Sequence, residues 1–205
     1  SDGCAVVGGA TGSLHKLQLQ TGKLVSTATN AHGGAIHVVC EGPGGALLSC
    51  GKDGEVRMWS AALEPVRSHA LLAAVAQALP LLTPRADGRP PRLRALDWDD
   101  PTGALLVGTA GSELLVVDTT APAKSRLLGT GHAPPPKRGT MGAVAGGGGG
   151  GAVEEADEEL GAVRALATAA WLDVAATGGD DAALRLWSVG GRRALLTSSL
   201  GAPIS

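Results

Sequence analysis

The sequence predicts an all-β fold, a partial β-propeller of antiparallel four-stranded blades in which three complete blades follow an incomplete one. Three observations carry that expectation. The stretch Leu47 to Ser60, LLSCGKDGEVRMWS, returns in altered form at Ala175 to Ser188 as AATGGDDAALRLWS. In both copies a hydroxyl residue stands ten positions, and an Asp six positions, before a Trp: Ser49, Asp53 and Trp59, then Thr177, Asp181 and Trp187. Ahead of each Trp the residues alternate, Val56-Arg57-Met58-Trp59 and Leu184-Arg185-Leu186-Trp187, so that every second side chain faces one side of a sheet. A strand pair this short is marginal alone, and self-similarity at a period near forty residues marks units that bury their faces by stacking.

Along the chain, 1–30 is the incomplete blade. Ala5 to Gly9 reads as one strand and Ser13 to Gln20, SLHKLQLQ, as a second, with Leu17 at the Trp position. The blade at 31–70 is the most regular, with strands at Ala35 to Cys40, Ala46 to Cys50, Glu55 to Ser60 and near Pro65 to His69. The blade at 71–130 begins with an insertion, 71–91, whose Ala/Leu-rich start allows a turn or two of helix before Pro80, Pro84, Pro90 and Pro91 forbid regular structure. Its strands fall at Leu93 to Trp98, Ala104 to Gly108, Glu113 to Asp118 and Ser125 to Leu128, and Val117 replaces the Trp. The last full blade, 131–200, carries the insertion 133–159, whose three Pro, six consecutive Gly and five carboxylates cannot bury enough apolar surface to offset chain entropy, so disorder is expected. Its strands fall at Val163 to Thr168, Asp173 to Thr177, Ala183 to Ser188 and Arg193 to Ser198, and 201–205 begins a further blade. The intervals between Leu17, Trp59, Val117 and Trp187 are 42, 58 and 70 residues, and the two excesses coincide with the two insertions. A closed ring of seven such blades needs roughly 280 residues, so 205 residues are expected to form an open arc.

Composition narrows the function classes. With no Phe or Tyr, 4 Trp and 32 Gly, the cores have to be built from Ala, Val and Leu. A net charge of −2 offers no general attraction to nucleic acid or anionic membrane. Cys4, Cys40 and Cys50 are too few for a disulfide framework, which points to a reducing, cytoplasmic setting. No apolar run reaches membrane-spanning length. No cofactor or metal is expected. Glu154 to Glu159 lacks the alternating oxygens and turn Gly of a calcium loop, Gly146 to Gly151 lacks the flanking strand and helix of a dinucleotide motif, and Cys40 and Cys50 lack Cys-x-x-Cys spacing.

The repeated set resembles that of WD-repeat blades. The resemblance implies that His32, Ser49, Asp53 and Trp59, with their counterparts His132, Thr177, Asp181 and Trp187, form structural tetrads sharing hydrogen bonds within a blade. His32, Ser49 and Asp53 also contain the parts of a hydrolytic triad, but recurrence in two blades fits stability better than one active site, and no enzyme activity is expected. The blades at 1–30 and 71–130 have Thr11 and Gly111 at the Asp position and are expected to be looser.

Two further stretches, LRALDWDD at Leu93 to Asp100 followed by GTAGSELLVVD at Gly108 to Asp118, and Glu159 to Ser188, are similar to the echinoderm microtubule-associated-protein-like family. They share with it Gly108-Thr109, Ser112-Glu113, Gly131-His132, Glu159-Leu160, Thr177, Gly179-Asp180-Asp181, Leu184-Arg185 and Trp187 in the same order. That resemblance implies a non-catalytic, tubulin- or microtubule-associated scaffold of the cytoskeleton or ciliary axoneme. Because tubulin surfaces are acidic in that setting, Lys52, Arg57, Arg185, Arg192 and Arg193 are the positions expected to meet such a partner. The alternative is a generic cytosolic WD-repeat adaptor in a signalling or assembly complex.

Overall fold

The computed structural model describes residues 3–130, 132, 162–169, 172–191 and 193–201. The insertion 133–159, Arg192 and the segment after Gly201 lie outside them. The described chain is mostly β and forms four antiparallel sheets whose strands follow sequence order. Sheet one has three strands, β1 (Cys4–Gly8), β2 (Leu14–Gln18) and β3 (Leu24–Ala28). Sheet two has β4 (Ile36–Glu41), β5 (Leu47–Gly51), β6 (Val56–Trp59) and β7 (Pro65–Val66). Sheet three has β8 (Leu93–Asp99), β9 (Ala104–Thr109), β10 (Glu113–Asp118) and β11 (Arg126–Thr130). Sheet four has β12 (Val163–Ala169), β13 (Val174–Gly179), β14 (Ala183–Ser188) and β15 (Arg193–Ser199).

The first strands of sheets two, three and four are neighbours, β4 beside β8 and β8 beside β12. Each also touches the second strand of the sheet before it, as β8 touches β5 and β12 touches β9. β1 touches β4 in the same way, so it stands at the second-strand position. Among the described residues, no strand of sheet one occupies the first. Three apolar layers fill the gaps between sheets: Leu14, Ile36 and Trp59 between one and two, Leu48, Met58, Leu105 and Leu115 between two and three, and Leu106, Leu114, Val116 and Trp187 between three and four. β10 lies between two of these layers, which is why its sequence, ELLVVD, is almost continuously apolar.

The turn after each second strand carries one residue of positive φ at an equivalent position: Gly12, Gly54, Ser112 and Ala182. The left-handed conformation suits Gly and strains the other two. At Gly54 it is enforced by a close approach as well, since a Cβ there would lie 2.6 Å from the ring of Pro90.

Three expectations change. The insertion 71–91 starts helical and then turns irregular as expected, but its helix α1 (Ala70–Ala78) does more than begin the insertion, because it buries Leu71, Ala74, Val75 and Ala78 in the layer between sheets two and three. His69 caps it, its Nδ1 accepting from the Leu71 amide at 3.1 Å. The outer strand of sheet two is correspondingly short, ending at Val66 rather than His69. Sheet three is not loose: Leu105, Leu106, Val107, Leu114, Leu115 and Val117 are all fully buried. Val107, Leu115 and Val117 take the places of Ser49, Arg57 and Trp59, so apolar contact replaces polar connection there.

If α1 is part of the core, Leu71→Ala should lower the unfolding free energy by about 2–5 kcal/mol, whereas Leu127→Ala, on an exposed side chain, should change it by less than about 0.5 kcal/mol. Urea denaturation measures both, and equal small losses would mean that the helix only rests on the surface.

Candidate functional site

The structure brings each predicted set of four residues together. In sheet two the hydroxyl of Ser49, on β5, is fully buried beneath Trp59, on β6. The Trp59 indole N–H donates to Ser49 Oγ at 2.8 Å, and Ser49 Oγ lies 2.7 Å from His32 Nε2. His32 Nδ1 sits 3.0 Å from both carboxylate oxygens of Asp53. A carboxylate only accepts, so Nδ1 carries the imidazole proton, Nε2 is the acceptor, and the serine hydroxyl donates to it. Every donor then points one way, from Trp59 through Ser49 and His32 to Asp53.

Sheet four repeats the arrangement. Trp187 Nε1 donates to Thr177 Oγ1 at 2.8 Å, Thr177 Oγ1 lies 3.0 Å from His132 Nε2, and His132 Nδ1 lies 2.6 Å from Asp181 Oδ1. The two Asp residues occupy the third position of the hydrogen-bonded turn that begins at Gly51 or Gly179, between the second and third strands. There each also accepts from the backbone amide two residues on, that of Glu55 or Ala183, both at 3.2 Å. Asp53 takes a further bond from the Gly33 amide at 2.9 Å.

Burial pushes the Asp53 carboxyl upward, but the bonds from His32 and from the Gly33 and Glu55 amides outweigh it and hold the group down at about 2. In Asp181 the same opposition, burial against His132 and Arg185, also ends below the usual carboxylate range.

A fifth member of each network comes from the residues expected to meet a partner. Arg185 Nη1 lies 2.6 Å from Asp181 Oδ2, and Arg57 reaches Asp53 at 3.7 Å while binding Glu55 at 2.6 Å and donating to the Ala31 carbonyl. Both guanidinium groups are thus engaged within the chain. The signal was their recurrence two residues before each Trp, the same face as the network. Lys52 and Arg193 are exposed, but Lys52 lies in the β5–β6 turn and Arg193 opens β15 at the opposite end of a different sheet, so the positions do not form one patch. Arg192 is outside the described residues.

Ser49, His32 and Asp53 have the connectivity of a hydrolytic triad without its access. Ser49 is 0% and Thr177 1% exposed, and each hydroxyl oxygen already accepts from an indole N–H. The arrangement can hold strands together, but it presents no nucleophile. Cys40 and Cys50 are free; burial is the main cause that pushes the Cys40 thiol up to about 12 and the Cys50 thiol also upward. Among the described residues no group of three or more His, Cys, Asp or Glu is placed to hold a metal ion, and no helix is long and apolar enough to cross a membrane. No protein-family model matches the chain, and no curated protein is significantly similar to it.

Removing one partner from these networks leaves buried polar groups without bonds. Ser49→Ala and Thr177→Val should each cost about 1–3 kcal/mol of stability in chemical denaturation. Because the Asp53 carboxyl is depressed in the folded state, its contribution is present above its ordinary value near 4 and is lost as pH falls through about 2. The stability gap between the parent and Asp53→Asn should therefore be constant from pH 7 to about 5 and close between about 4 and 2. A gap that stays constant throughout would mean that the charge of Asp53 is not what the network uses.

Proposed function

We propose that the chain is part of a WD-repeat β-propeller that serves as a non-catalytic platform for protein partners, associated with microtubules or the axoneme in the cytoplasm. The observation that carries this reading is the recurrence of one hydrogen-bonded set, His32-Ser49-Asp53-Trp59 and His132-Thr177-Asp181-Trp187, in two sheets with the same connectivity. A buried group used for chemistry appears once, in the pocket where the substrate binds; a group used to fix a structural unit recurs with the unit. The side-by-side placement of β4, β8 and β12 supports a radial order of blades. The exposed turns at the ends of the sheets, with Lys52 among them, are then the surfaces where partner contacts accumulate.

The microtubule assignment is supported by the ordered similarity across sheets three and four. The chain should pellet with taxol-stabilised microtubules at low salt, less so at moderate salt, and Lys52→Glu should weaken pelleting without lowering stability. Failure to pellet at either salt, together with no binding of the tubulin dimer, would leave the generic adaptor.

A further inference from the structure

The insertion ahead of sheet three is attached at both ends and near its middle. At its start α1 and Leu82 are buried in the layer between sheets two and three. At its end Pro90 packs against Gly54. Between these points Thr83 is clasped to Glu113, the first residue of β10. The Thr83 hydroxyl donates to Glu113 Oε1 at 2.8 Å, and the Thr83 amide points at both carboxylate oxygens, 3.0 Å from Oε1 and 3.3 Å from Oε2.

Glu113 is only 5% exposed, an uncommon setting for a carboxylate. Such a group is tolerated in the interior when donors reach it, and Thr83 supplies them. The equivalent residue of sheet two, which also follows the turn residue of positive φ, is Glu55, and its side chain is 55% exposed. Burial of the carboxylate in sheet three thus comes with the insertion that lies over it.

Thr83 itself is exposed, and residues 82–92 lie outside the helices and strands. It is followed by Pro84. Of the 12 Pro in the chain, Pro84 alone follows a Ser or Thr. A Pro biases the residue before it toward an extended backbone, the form in which a protein kinase holds the segment that it modifies. One hydroxyl therefore combines three properties: it is reachable, it precedes a Pro, and it is a donor that a buried carboxylate depends on.

We propose that Thr83 is a phosphorylation site for a proline-directed protein kinase, and that the phosphate opens the clasp on Glu113. In the transfer Thr83 Oγ1 forms a bond to the γ-phosphorus of ATP as the bond from that phosphorus to the β,γ-bridging oxygen breaks. The hydroxyl proton passes to the base of the kinase, and ADP leaves. A hydroxyl that donates is thereby replaced by a group whose dianion only accepts, with a charge of about −1.5 to −2. Beside a buried carboxylate this group loses the bond and adds like-charge repulsion, so Thr83 swings away and Glu113 returns to water. Apolar contact keeps Leu82 and α1 in place, which confines the movement to the stretch between Leu82 and Pro90. This inference goes beyond the partner reading and holds whether or not tubulin binds.

The folded 205-residue chain, treated with a cyclin-dependent protein kinase, ATP and Mg2+, should take up one phosphate, located at Thr83 by fragmentation mass spectrometry. Thr83→Ser should remain a substrate. Pro84→Ala, which keeps the hydroxyl and its bond, should lose the modification. Glu113→Gln, a weaker acceptor of the same size, should speed it, because the hydroxyl has to leave the carboxylate before it reacts. After phosphorylation of the parent chain, amide hydrogen exchange over 83–89 should quicken about tenfold or more, the size of one lost charge-assisted bond, while exchange in β4 and β8 stays unchanged. That readout is taken on the parent and survives if Glu113→Gln fails to fold. No phosphate on the folded chain, uptake only at other residues, equal modification of Pro84→Ala, a folded Glu113→Gln modified no faster than the parent, or exchange unmoved by the phosphate would each overturn the proposal.

Discussion

Two buried hydroxyl groups, those of Ser49 and Thr177, are the points on which sheets two and four depend. Each accepts from an indole and donates to an imidazole, so one small oxygen fixes the third strand, the loop ahead of the first strand and, through the imidazole, the carboxylate of the turn. In sheet two the hydroxyl's O–H and the imidazole's two nitrogens are all satisfied in that order, and the order admits one direction of donation, while in sheet four Arg185 Nη1 also lies 2.6 Å from His132 Nδ1. A buried polar group costs little only when its bonds are complete, so the whole set has to be present or absent together. Sheet three is the absent case. There Val107, Leu115 and Val117 fill the same positions and the sheet is buried on both faces, which the surrounding layers and α1 make possible.

The chain thus contains two solutions to one packing problem. Where a sheet has an apolar layer on each side, hydrocarbon at the three central positions suffices, and the extra apolar burial, roughly 1.5–3 kcal/mol for a whole Leu or Val side chain, takes the place of the polar connections. Where the apolar cover is thinner, as in sheet two toward sheet one, the network holds the strand ends instead. Trp serves both purposes: its ring belongs to the layer against the preceding sheet and its N–H to the network.

The strand order and the eight network residues were legible in the sequence because they depend on local signals, a period-two alternation and fixed offsets before a Trp. What was not legible depended on neighbours remote in sequence. β3, Leu24–Ala28, has little alternation in burial and exposes Leu24 and Val25, so its own residues announce no face. The helical start at Ala70–Ala78 could be read from its Ala and Leu, but the run is apolar on too many sides to advertise a direction, so its burial in the gap between sheets two and three could not. The β-bulges at His37 in β4, Arg94 in β8 and Arg164 in β12 each add one residue to a strand, a change invisible without knowing its partner's register. Arg57 and Arg185 looked like surface charges because alternation says which side of a strand a residue takes, and not which carboxylate waits there.

The two networks, alike in their finished bonds, differ in the length of chain that has to be gathered before they can form. His32 lies 17 residues from Ser49, whereas His132 lies 45 residues from Thr177. In an unfolded chain the larger loop is harder to close by about (3/2)RT ln(45/17), or about 0.9 kcal/mol. The imidazole of sheet four therefore arrives at its hydroxyl later, on average, than that of sheet two. Order of assembly along this chain follows from the spacing of its histidines, with the network of sheet two closing ahead of that of sheet four.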